Sequence, residues 1–273
     1  MIIALLAALG LAACTPPATE TGSLFETQIQ SRANLPDRLR EISGLAVSPD
    51  GRLFGHDDEV ANIYEINPTS GEIVKWFALG DPSRSGDFEG LTITPEGDFW
   101  LTDSRGRLFR FREGENEAHV AFERFDTELG EACEIEGVAY QPAEQSLILA
   151  CKRVRGDDGN GGETQLQAWS IASRQTRQWG PVSGDIAAAA GVRSFAPSGL
   201  ELDRVSGRLI VISAAGDGAL AELGPDGALL AARRLGNGHR QAEGVAIMPD
   251  GSLIISDEAG NSQALITRYR RRQ

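Results

Sequence analysis

Three glutamates recur in one local setting along this chain. Each stands before a glycine and an aliphatic residue: Phe88-Glu89-Gly90-Leu91, Ile135-Glu136-Gly137-Val138 and Ala242-Glu243-Gly244-Val245. Two further copies carry serine at the acidic position, Ile42-Ser43-Gly44-Leu45 and Pro197-Ser198-Gly199-Leu200. If the five copies are related by rotation, Ser43, Glu89, Glu136, Ser198 and Glu243 form a ring. At ~6 Å and an effective dielectric of ~20, two carboxylates repel by roughly 3 kcal/mol. Protonation, a nearby Lys or Arg, backbone N–H donors or a bound cation must offset that. Hard oxygen donors without a His or Cys cluster select Ca²⁺ among the metals. The competing reading is a latch, in which each Glu accepts hydrogen bonds from a neighbouring backbone and Lys152 supplies counter-charge.

The elements that position such a ring follow from the spacing. The motif glycines lie 46, 47, 62 and 45 residues apart, and a period in the forties filled with short strands is that of four-stranded propeller blades. In three copies a turn follows, Pro49-Asp50-Gly51, Pro95-Glu96-Gly97 or Pro249-Asp250-Gly251, flanked by alternating apolar residues as in hairpins. The second repeat predicts strands at Leu91–Thr94, Phe99–Thr102 and Arg107–Arg112, with Ala118–Phe125 outermost. The Ala187–Ala190 run reads as a short helix or loop. The fold class is therefore all-β: a five-bladed propeller of four-stranded antiparallel blades. After Gly244 only three strands remain, ending near Tyr269. The alternating segment Leu24–Gln30 is expected to supply the fourth, outer strand of the last blade and close the ring, removing a long free edge.

Hairpin geometry brings the ends of the second strands to the same channel mouth: His56 with Asp57, Asp103, Lys152, Ser213, and Asp257 with Glu258. The expected metal ligands are Glu89, Glu136, Glu243, Asp103 and Glu258. Of the three histidines, only His56 falls near the mouth, where it is a candidate base; His119 is expected at the surface. No G-x-S-x-G elbow, H-x-x-x-H pair or phosphate loop occurs, so no catalytic residue is assigned. The Arg155–Gly162 stretch lacks the terminal Glu of a calcium-binding EF-hand loop and reads as an inter-strand loop.

Composition bounds the function. The 273 residues carry 26 Lys and Arg against 39 Asp and Glu, a net charge of −13, which argues against nucleic acid as a partner. The closing basic cluster, Arg268, Arg270, Arg271 and Arg272, reads as a solvated tail. Residues 1–13 are uncharged and almost wholly apolar, too short to span a bilayer but right for the hydrophobic part of a signal peptide. Leu11-Ala12-Ala13-Cys14 is similar to a bacterial lipobox, although no Lys or Arg lies near Met1. The expected organisation is a signal peptide at 1–13, lipidated Cys14 with a flexible tether to residue 23, and a single propeller over 24–272. Thr15 after Cys14 points to the outer membrane, with the domain facing the periplasm. Cys133 and Cys151 could be joined there or be two small buried hydrophobes.

The ordered set Asp87–Leu91, Ile135–Tyr140, Leu147–Lys152, Pro197–Leu200 and Gln241–Ala246 resembles the SdiA-regulated domain family of bacterial envelope proteins. That resemblance implies a five-bladed propeller with a calcium site and no established biochemical activity. Phytase-like and esterase-like propellers carry similar Glu-Gly-aliphatic motifs. Three functions are therefore expected in order: a monomeric Ca²⁺-binding module that recognises a ligand or envelope protein, a Ca²⁺-dependent esterase, lactonase or phytase-like hydrolase, and a scaffold without metal.

Overall fold

The computed structural model describes residues 22–154, 164–180, 182–236 and 238–273. The signal peptide, Cys14, most of the tether and the Arg155–Gly162 stretch lie outside the described residues. The described residues are all-β apart from a three-residue 3₁₀ turn and one short helix, and they form five sheets arranged as a five-bladed propeller. The first blade contains β2 (Ile42–Val47), β3 (Leu53–Asp57), β4 (Asn62–Ile66) and β5 (Ile73–Leu79); the second β6 (Phe88–Ile93), β7 (Asp98–Asp103), β8 (Arg107–Arg112) and β10 (Phe122–Asp126). The third contains β11 (Cys133–Gln141), β12 (Ser146–Val154), β13 (Gln165–Ser170) and β14 (Thr176–Gln178); the fourth β15 (Pro197–Leu202), β16 (Leu209–Ser213), β17 (Ala219–Leu223) and β18 (Leu229–Arg234).

The fifth blade has β19 (Ala242–Ile247), β20 (Leu253–Asp257) and β21 (Leu265–Arg271) from the C-terminal end of the chain, and its outer strand is β1 (Phe25–Asn34). Phe25 pairs with Arg271 and Asn34 with Leu265 in antiparallel register. The N-terminal strand thus closes the ring as expected, running four residues beyond Gln30. A buried clamp fixes its start. The Glu222 carboxylate, fully buried on β17, accepts from the Leu24 N–H at 2.8 Å and the Ser23 hydroxyl at 2.6 Å. Arg208 neutralises it at 2.9 Å and also donates to the Gly22 carbonyl at 2.6 Å.

Two expectations change in detail. The outer segment of the second repeat is not one strand. Phe122–Asp126 pairs with β8, whereas β9 (His119–Val120) crosses to the first blade and adds to β5 in parallel. The His119 ring, hydrogen-bonded to the Gly80 carbonyl at 2.7 Å, holds it there. The Ala-rich run is helical: α1 (Ile186–Ala190) is capped by Asp185, whose Oδ1 accepts from the Ala188 N–H at 2.9 Å, and ends at Gly191 with φ +68°.

The core is not central. One apolar layer fills each of the five gaps between neighbouring blades, as facing sheets of alternating strands require. Leu45 packs with Ala246 and Ile254 between blades five and one, Phe54 with Phe99 between one and two, and Trp100 with Trp169 between two and three. Ala139 packs with Leu200 in the fourth gap and Ile212 with Val245 in the fifth. Cys133 and Cys151, on β11 and β12, are joined in a disulfide with Cα atoms 5.5 Å apart.

Candidate functional site

Every inner strand breaks register at its motif. The pairing shifts between Ile42 and Leu45, Phe88 and Gly90, Ile135 and Val138, Pro197 and Gly199, and Ala242 and Gly244. A bulge re-aims the residue it inserts, and here that residue is Ser43, Glu89, Glu136, Ser198 or Glu243. The glycines that follow let the five inner strands meet at the axis. A Cβ on Gly90 would stand 2.7 Å from Gly137 Cα and the Val138 nitrogen, and one on Gly199 would stand 2.3 Å from the Glu243 carbonyl oxygen. What remains on the axis is a cavity of about 10 Å³ between the five glycines and the aliphatic residues that follow them, room for about one water.

Above this waist the carboxylates converge. Glu136 is buried and paired with Lys152, Oε1 to Nζ 2.9 Å. Burial raises the Glu136 pKa to about 7 against the pull of Lys152. Burial works against the Lys152 ammonium, but Glu136 outweighs it and the lysine pKa rises. Glu89 is raised to about 9 by burial, by Glu136 and by Asp87, and Glu243 to about 8 by burial, Glu258 and Glu136. Glu258, raised to about 7 by burial, Asp58 and Glu41, links the ring to the first blade.

Here the acidic field widens beyond the expected set. Glu41, Asp57 and Asp58 each place an oxygen within 4.8 Å of the others. Asp58, raised to about 6 by burial and by Asp57, has one oxygen, Oδ1, that is buried without a hydrogen-bond partner. Glu41 and Asp58 were not anticipated from the sequence, yet a signal was present. Glu41, Asp87 and Glu134 hold the same place in three repeats, two residues before ring positions.

The structure separates two expected residues from this cluster. Asp103 is buried beneath the turn from β7 to β8. Its Oδ2 pairs with Arg107 Nε at 2.5 Å, and its Oδ1 accepts from the Arg105 and Arg107 N–H groups at 3.1 and 2.9 Å. Asp103 is therefore a turn latch, with both oxygens engaged, and does not join Glu89, Glu136, Glu243 and Glu258. His56 is fully buried: Nε2 accepts from the Gly44 N–H at 2.9 Å, and Nδ1 contacts the Asp57 carbonyl at 3.0 Å. Burial lowers its pKa to about 4, so it supports the bulge as a neutral ring and is no candidate base. Ser256 does the same for Gly244 at 3.0 Å. Ser198 donates to the Ala242 carbonyl at 2.5 Å, tying blade four to blade five.

No protein-family model matches the chain, and no curated protein matches it by sequence. Solved structures do. Glutaminyl cyclase from Myxococcus xanthus superposes with a TM-score of 0.58 at 14% identity, over 89% of this chain and 95% of its own. The PQQ-bound aldose sugar dehydrogenase from Streptomyces coelicolor gives 0.51 at 14% identity, over 89% and 98%. A protein assigned as a gluconolactonase gives 0.51 at 16% identity, over 91% and 95%. At these identities the likeness is one of fold, and this chain is a five-bladed β-propeller with a carboxylate-rich channel mouth.

Proposed function

We propose that the channel mouth binds a divalent cation, Ca²⁺, and that the protein is an envelope-tethered recognition propeller of the SdiA-regulated type. The observation that carries this reading is the charge balance at the mouth. Glu89, Glu243, Glu258, Asp58 and Glu41 act on one another, and Lys152, already paired with Glu136, is the cation set among them. Such a cluster must take up protons or a cation. The donor set fits calcium: carboxylate oxygens throughout, flexible side chains, and a buried Asp58 oxygen that lacks a partner. Glu89, Glu243 and Glu258 would hold the ion from the ring side, and Asp57, Asp58 and Glu41 from the first blade. Glu136, neutralised by Lys152, would stay outside.

The direction of β1 supports a tethered role. Phe25 lies at the Arg271 end of the fifth blade, where Arg271 reaches Asp203 in the hairpin turn of the fourth. The motifs lie at the other end, where Ala242, Asp257, Leu265 and Asn34 align. The chain therefore enters on the face opposite the mouth. With Cys14 lipidated, the mouth would look away from the membrane, open to a soluble ligand or an envelope protein. Metal content of the purified full chain after dialysis tests the reading. One bound calcium per chain is expected in wild type and none in Glu243→Gln; a calcium-free wild-type protein with no thermal shift on adding calcium contradicts it.

A second reading is favoured by one feature of the same mouth. Glu89 holds a proton at neutral pH beside Glu136 at about 7, an acid and a base side by side. In this reading the cation sits on Glu41, Asp57 and Asp58 and Glu89 keeps its proton; with the cation polarising a carbonyl, the pair suits lactone or ester hydrolysis, the activity in the name of one propeller of similar fold. A lactone and ester panel decides it: turnover by wild type that is unchanged in Glu89→Gln and Glu243→Gln cannot arise at this site.

A further inference from the structure

Away from the mouth, the seam between the fourth and fifth blades contains a guanidinium with two buried nitrogens that have no acceptor. Arg233, on β18, lies over the Tyr269 ring with its Cζ 5.1 Å from the centroid. Its Nε and Nη2 are buried and have no hydrogen-bond acceptor. These two nitrogens share one edge of the planar group, the edge whose parallel N–H bonds match the two oxygens of a carboxylate or phosphate. A buried N–H left unpaired is costly, more so on a charged group. The carboxylate that acts on Arg233, Glu222, is committed to Arg208, Ser23 and Leu24.

The guanidinium is held from behind by a chain of polar contacts. The Tyr269 hydroxyl, a hydrogen-bond partner of Arg233, lies 2.6 Å from His239 Nε2, and His239 Nδ1 lies 2.6 Å from Asp257 Oδ2. Asp257 Oδ1 in turn accepts from the Gln241 N–H at 3.2 Å. All three of Tyr269, His239 and Asp257 are buried, so the chain cannot meet a substrate; its role is to orient Arg233. On the other side Arg32, on β1, also acts on Tyr269 and packs against Gly238, where a Cβ would stand 1.9 Å from its Nη2. Among the described residues Arg32 has no carboxylate partner.

We infer that this seam is an oxyanion-binding site, in which the Nε and Nη2 edge of Arg233 takes two oxygens of a carboxylate or phosphoryl group and Arg32 supplies the second positive charge. It is independent of the cation at the mouth. Thermal unfolding of the full chain in EDTA, with inorganic phosphate, acetate or chloride at equal ionic strength, tests it. At an anion concentration about ten times its dissociation constant, the melting temperature should rise by about 3 °C over chloride. A rise with phosphate alone identifies a phosphoryl ligand, and a rise with acetate a carboxylate. Arg233→Met should abolish the rise. Arg32→Gln, at the exposed rim and safe for folding, should weaken it at least several-fold in anion affinity. Wild type responding to neither anion beyond chloride, or Arg32→Gln responding as wild type does, overturns the inference.

Discussion

Lys152 Nζ lies 2.9 Å from Glu136 Oε1 across neighbouring strands of the third blade, and among the described residues this is the one ion pair made by the three ring glutamates. It neutralises one carboxylate and leaves Glu89 and Glu243 to be balanced otherwise. The pair separates a latch from a cation site. Lys152→Gln leaves Glu136 buried without its partner, which costs about 1–2 kcal/mol once the one-third exposure of the lysine side chain is allowed for. The same change removes a repelling charge from the mouth, so calcium affinity should rise several-fold. Urea denaturation and calorimetry on one variant check both; lower stability with unchanged or weaker calcium binding would favour the latch.

Proton uptake predicts a pH dependence. The folded-state values of Glu89 and Glu243, about 9 and about 8, lie above the ordinary 4.5, so the folded protein holds more protons than the unfolded chain. The stability these groups contribute is fully present below pH 4.5 and is lost as pH rises through 8 and 9, at up to ~1.4 kcal/mol per pH unit for each group. In EDTA, Glu89→Gln and Glu243→Gln should be more stable than wild type at pH 9 and similar to it near pH 4.5. Denaturation curves at the two pH values read this directly, and a wild-type stability that climbs between them contradicts it.

The axis tolerates no side chain at the motif glycines. Gly90→Ala places a methyl 2.7 Å from backbone atoms of the third blade, where no rotamer can relieve it. A loss of at least ~2–3 kcal/mol is expected by denaturation. Gly216 has φ +65° but open space, with nothing within 4 Å of where a Cβ would stand, so its change to Ala should cost less.

Asp103 offers a control. Asp103→Asn weakens the Arg107 pair and the turn beneath it, so stability should fall by ~1–3 kcal/mol, while calcium affinity should stay within twofold of wild type. A large loss of calcium binding in a folded Asp103→Asn protein would return this residue to the ligand set.

How much of this was legible in the residues depends on the kind of contact. The five glycines and the alternating Leu24–Gln30 segment revealed the blades and their closure, because both obey a local period. The placement of Glu89, Glu136 and Glu243 near one axis followed from the same repeat. Strand ends were harder. Asp103 lies opposite Phe88 as Asp257 lies opposite Ala242, one place short of Glu258, and Arg107 four residues on captures Asp103, which only the folded turn shows. His56 looked available until the bulge freed the Gly44 N–H that it accepts. Glu41 and Asp58 went unread although Asp57 beside them was read, and their link to Glu258 comes from the fifth blade, far along the chain. The division of 118–125 into two strands likewise depends on an edge of β5 that no local pattern announces.

The most direct test of a cation at the mouth is calorimetric titration of calcium into the cation-free full chain at pH 7, repeated in two buffers of different ionisation enthalpy. Saturable binding at one site is expected, with net proton release as Glu89 and Glu243 give up their protons, affinity rising with pH, and loss of binding in Glu243→Gln. The absence of any saturable heat in wild type, or binding undiminished in Glu243→Gln, would contradict it.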